Sequence, residues 1–148
     1  MTTFKLIFEE PQPDEECHIV VKCRSIDPEL LRALERFKDG DNVLAAYSED
    51  KIYRISPSDV FYIEAVDNKT FYYCQDEVYE SKLKLYELEE LLQPDGFFRV
   101  SKSLIVNLGK IEALAPALAS RMEATLTNGE RIMISRKYVH DLKRRLGF

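Results

Sequence analysis

The 148-residue chain has no tryptophan, two histidines, three cysteines and five glycines, and each scarcity closes off a class of function. His18 and His140 are the only imidazoles, so no His/Cys cluster has metal-site spacing and a Ser/His/Asp relay has little to be built from. The glycines form neither G-x-G-x-x-G nor G-x-x-x-x-G-K-[ST], and no nucleotide-phosphate loop is present. Cys17, Cys23 and Cys74 are odd in number with no close pair, the usage of reduced thiols in a cytoplasmic protein. No apolar run is long enough to span a bilayer, and Met1-Thr2-Thr3-Phe4-Lys5 lacks the features of a secretory leader. Glu87, Glu89 and Glu90 are neighbouring carboxylates, but on a Leu-rich helical stretch they read as a solvated face. The expectation is a non-enzyme with no catalytic residue, no metal and no cofactor.

A further absence points to a surface. In a protein of formal charge -5, no acidic residue stands between Asp95 and Glu112. Residues 1–98 carry 11 basic and 22 acidic side chains, whereas residues 99–148 carry 10 basic and 4 acidic. Where cations sit matters more for phosphate binding than their total. Double-stranded DNA is the first expected partner of this basic half; an acidic protein met by the same face is the alternative. RNA fits less well, because the aromatics at 61–73 alternate within strands and read as core.

Along the chain, Phe4–Phe8 and His18–Lys22 read as two strands, and Asp27-Pro28 opens a helix with Leu30, Leu31, Leu34 and Phe37 on one face, stopped by Gly40. This ββα unit, residues 1–41, is too short for a private core. From 42 to 148 the pattern is mostly β (α+β). Val43–Tyr47 and Ile52–Ile55 flank a turn, Val60–Ile63 and Phe71–Cys74 flank Asp67-Asn68-Lys69, and Val78-Tyr79 is a short strand. Leu85, Leu88, Leu91 and Leu92 form a helical stripe closed by Pro94 and Gly96. Met122–Thr127 and Arg131–Ser135 pair across Asn128-Gly129, and the helix Arg136–Leu146 closes the chain.

Three loops have the composition for binding. In Phe97–Ile111, Phe98 and Val100 alternate with an outward Arg99 and Ser101, leading to a knuckle at Ser101-Lys102-Ser103 and a buried Leu104-Ile105-Val106. Lysine donates to phosphate or guanine, and small hydroxyls let the backbone approach a phosphate. The second loop is Asn68-Lys69-Thr70, for which an ordinary polar turn is an equal reading. The third is Ser135-Arg136-Lys137, where two cations in a helix's first turn oppose its dipole unless an anion binds there. Asn107 reads as a turn or buried hydrogen-bonding residue, Tyr138 as core, and Arg121 as either contact or scaffold.

The string Phe97-Phe98-Arg99-Val100-Ser101-Lys102-Ser103-Leu104-Ile105-Val106-Asn107-Leu108 with Lys110-Ile111 resembles the central signature of the LytTR family of bacterial DNA-binding domains. Asp59–Asp67, Leu85–Glu89, and Asn128-Gly129-Glu130 with Ser135-Arg136-Lys137-Tyr138 match its companion motifs in order. The resemblance implies a compact multi-sheet β domain that inserts loops into successive major grooves. Carried over by position, its DNA contacts fall at Lys69 or Thr70, at Ser101 and Lys102 beside Arg99, and at Arg136 or Lys137. Some relatives carry His or Asn where Ser101 and Lys102 stand, so base preference does not transfer. Related regulators often have a receiver domain ahead of this part, for which the preceding residues are too few. The ββα unit 1–41, with an apolar helix stripe and no private core, is expected to supply a self-association or regulatory surface, and so a homodimer at least on DNA; the resemblance adds a small membrane protein as a further partner.

Overall fold

The computed structural model describes residues 7–15, 20–32 and 43–147. The chain divides into two compact units, 1–40 and 41–148. In the first, residues 28–32 are helical, and Asp27 accepts through Oδ1 from the Leu30 N–H at 2.7 Å, the cap read from the sequence. The two expected strands are not seen in their described parts: residues 7–10 and 20–22 carry no strand structure. Pro11 and Pro13 supply no N–H to a ladder, and a lone hairpin is marginal in water. Leu34, Phe37 and Gly40 lie outside the described residues.

The second unit holds ten strands and two α-helices: β1 (Leu44–Ser48), β2 (Lys51–Ile55), β3 (Val60–Val66), β4 (Lys69–Cys74), β5 (Val78–Ser81), α1 (Leu85–Leu92), β6 (Phe97–Arg99), β7 (Leu104–Asn107), β8 (Ile111–Pro116), β9 (Met122–Leu126), β10 (Arg131–Ile134) and α2 (Arg136–Leu146). They form a seven-stranded antiparallel sheet, β2-β1-β5-β4-β3-β7-β6, and a three-stranded one, β10-β9-β8. The mostly β expectation holds.

Alternation in the strands gives the large sheet two buried faces where β3, β7 and β6 lie. On one, Ile63, Ile105, Tyr72 and Phe97 pack with Leu85, Leu88 and Leu92 of α1. On the other, Phe61, Val100 and Val106 pack with Met122, Ala124, Leu126, Ile132 and Ile134 of the small sheet and Leu142 of α2. The helical stripe is narrower than expected, because Leu91 is exposed and Leu85, Leu88 and Leu92 carry the burial. Pro94 and Gly96 act as read: a 3-10 turn follows α1 and ends at Gly96, whose φ of 83° suits a residue without Cβ.

Phe98 and Val100 do face one core together, as alternation demands. The opposite face of β6 is not solvent, however. Phe97 fills the α1 core there, and Arg99 points toward α1.

Candidate nucleic-acid interface

The knuckle is a closed turn between β6 and β7. The Val100 and Ser101 N–H groups both donate to the Leu104 carbonyl, at 3.0 and 3.4 Å. The Ser103 N–H donates to Ser101 Oγ at 3.3 Å. Arg99 binds the loop from beneath: Nε donates to the Ser101 carbonyl at 2.7 Å, Nη2 to the Lys102 carbonyl, and Nη1 to Glu89 Oε2 of α1 at 3.0 Å. Its side chain is 18% exposed. The outward Arg99 expected from alternation is thus corrected: Nε, Nη1 and Nη2 each donate to a protein acceptor, and Lys102 and Ser103 are the exposed residues of the knuckle.

Two backbone hydrogen bonds attach the other loops to this turn. The Ala65 N–H donates to the Ser103 carbonyl at 2.8 Å, which ties in the β3–β4 hairpin, and the Ser135 N–H donates to the Val100 carbonyl at 2.9 Å, which ties in the start of α2. The three loops singled out in the sequence are therefore neighbours in space.

In the hairpin, Asp67 and Asn68 take φ of 50° and 64°, closing a two-residue turn between Val66 and Lys69. Lys69 is exposed there, but Thr70 is 5% exposed, pairing with Ala65 on one side and Ser81 on the other. Thr70 is thus withdrawn from the surface, and Lys69 is the exposed residue of that pair. At α2, Ser135 is the N-cap residue, although its hydroxyl caps no first-turn N–H. Arg136 and Lys137 are exposed in a first turn that has no acidic residue, with Lys137 Nζ 5.6 Å from the Tyr138 ring centroid. Tyr138 packs on the second core, as read from helical spacing.

Arg121 joins this group. Met122 pairs with Ile134, so Arg121 lies beside Ser135 at the same end of the small sheet. It is exposed, and its Nε donates to the Leu118 carbonyl at 3.1 Å. The sequence left its role open because its position depends on the β9–β10 register. Among the described residues no group of three metal-ligating side chains is present, and no helix is long and apolar enough to cross a membrane.

Comparison with known proteins follows the same outline. The family model for the LytTr DNA-binding domain matches residues 50–147. The chain is 29% identical over 99 residues to the sensory transduction protein LytT of Enterococcus faecalis, covering 67% of this chain but 41% of that protein. It is 32% identical over 108 residues to an uncharacterised HTH-type transcriptional regulator of Staphylococcus aureus, covering 73% of each. A solved LytTr DNA-binding domain from Bacillus cereus superposes with a TM-score of 0.68 at 34% identity, covering 72% of this chain and 97% of that one. The chain belongs to the LytTR family of DNA-binding domains.

Proposed function

We propose that this chain is a cytoplasmic transcription regulator that reads duplex DNA with the loops at one end of its β domain. Lys69, Lys102 and the Arg136-Lys137 pair enter successive major grooves, with Arg121 beside them on the phosphate backbone. The observation carrying this reading is the pair of hydrogen bonds from Ala65 and Ser135 to the knuckle, which gathers three cationic loops onto one rigid edge. Among the described residues, α1 and α2 are separated by five strands, so a helix-turn-helix arrangement of the two does not account for recognition. Lys102 stands at an exposed tip between two small hydroxyl residues, where it reaches a base edge or phosphate as the backbone comes close. Arg136 and Lys137 meet a phosphate at the start of α2, where anion and helix dipole attract.

Residues 1–41 supply a self-association or regulatory surface. Ile7, Phe8, Val20 and Ile26 are all more than 60% exposed, an apolar set that association would cover. Dimers on paired half-sites would gain avidity over one small domain, and a small membrane-protein regulator would act through the same unit. Sedimentation of the full chain with and without DNA tests the dimer: a monomer in both conditions removes it.

The central test is selection from a random duplex pool, followed by a salt titration on the recovered sequence. A motif should emerge, and affinity should fall with a log–log slope of about -0.9 for each phosphate contacted. Absence of duplex binding at low salt, with tight capture of an acidic protein, transfers the basic face to that other partner.

A further inference from the structure

Arg99 lies within the basic stretch, yet its guanidinium faces inward on three acceptors: Glu89 Oε2 and the carbonyls of Ser101 and Lys102. Glu89 comes from α1, on the face of the large sheet opposite the small sheet and α2. The Glu89 side chain is 46% exposed, and ion pairs this open add little to stability. Their consequence here is direction. A planar guanidinium held at Nη1 has its remaining edge fixed in space, and a lysine ammonium could not serve three acceptors so placed. The two carbonyls it grips flank the Lys102 α-carbon from either side of the tip. Gripping both sets the direction in which the Lys102 side chain leaves the backbone.

We propose that Glu89 and Arg99 are positioning residues for sequence reading: neither touches DNA, and together they aim Lys102. The inference rests on the reading of the knuckle as a DNA contact. It makes a prediction opposite in sign to simple electrostatics. Removing the Glu89 charge takes one repulsive carboxylate away from the duplex, which by itself strengthens binding to every sequence. Loss of aim weakens binding to the preferred sequence alone.

The test uses the full chain, the duplex recovered by selection and a scrambled duplex of the same composition. The parent is compared with Glu89→Gln, Glu89→Ala and Arg99→Lys, reading dissociation constants, salt slope and melting temperature. Affinity for the selected duplex should fall about tenfold in Glu89→Ala and Arg99→Lys, the scale of one misplaced base contact, and by less in Glu89→Gln, which keeps an acceptor. Affinity for the scrambled duplex should hold or rise slightly in the Glu89 variants, with the salt slope unchanged. Equal losses on both duplexes with a shallower slope would make Arg99 a phosphate contact and overturn the proposal, as would unchanged selectivity. If Arg99→Lys fails to fold, Glu89→Ala, at a half-exposed helix position, decides alone. A parent that does not discriminate between the duplexes defeats the functional reading itself, and the positioning role with it.

Discussion

The Asn107 side chain links two segments 47 residues apart in sequence: its Nδ2 donates to the Val60 carbonyl at 2.9 Å, while its Oδ1 accepts from the Gly109 N–H at 3.0 Å. The β3–β7 ladder starts at Tyr62 and Val106, so the amide satisfies a carbonyl just beyond its end. Asn107 is 7% exposed, and both its bonds are made in a place where water competes poorly. Asn107→Ala should cost about 1–3 kcal/mol by leaving the Val60 carbonyl unpaired. Asn107→Asp should cost more at neutral pH, because an acceptor then faces an acceptor. Urea unfolding of the three proteins checks the order.

Contact and scaffold residues should separate cleanly in the loops. Lys69→Ala, Lys102→Ala and Lys137→Ala remove exposed side chains and should leave melting temperature nearly unchanged. Lys102→Ala should weaken the preferred duplex by roughly 1–3 kcal/mol, as a lost base contact does. Lys137→Ala should weaken every duplex and reduce the salt slope by about one. Parent-like binding by both Lys102→Ala and Lys137→Ala would show that the knuckle edge is not the reading head.

Phe97 and Phe98 are adjacent but unequal. Phe97 is 2% exposed among Leu88, Leu92 and Ile105, whereas Phe98 is half-buried against the second core. Phe97→Ala should lose about 3–5 kcal/mol through the cavity it leaves, and Phe98→Ala distinctly less. Thermal melts of the two variants give the comparison, and a larger loss at Phe98 would contradict this packing.

Burial, with Asp59 and Glu77 nearby, pushes the Cys74 thiol up to about 11 from an ordinary value of 9.0. The folded domain therefore holds this proton more tightly than the unfolded chain does. The stabilisation is present below about pH 9 and is lost as the pH climbs toward 11. In a chain carrying Cys17→Ser and Cys23→Ser, thiol labelling of Cys74 should stay slow at pH 8 and accelerate only in strong alkali. Fast labelling at pH 8 in the folded state would contradict the buried environment.

What the sequence determined by itself is local. Alternation placed Phe98 and Val100 on one face, the spacing of Leu85, Leu88 and Leu92 specified a helix side, Asp27-Pro28 opened a helix, and Pro94 with Gly96 ended another. These properties depend on neighbours within a turn or a strand, where backbone geometry leaves few choices. The three cationic loops were legible as loops for the same reason, since each is a short run of cations and small polar residues. Tertiary structure decided what lies opposite. Thr70 and Lys69 are consecutive and both polar, yet a strand's alternation turns one inward between Ala65 and Ser81 and leaves the other at the turn. Arg99 looked outward until α1 came to cover its face of β6 and offered Glu89. The Asn128-Gly129 hairpin was visible, but its loop spans residues 127–129, with Leu126 N–H bonded to the Glu130 carbonyl and Gly129 at φ 89°. A two-residue loop would slip the register and carry Arg121 to another place beside α2. Register and facing partners are set by non-local burial, which no single stretch of chain contains.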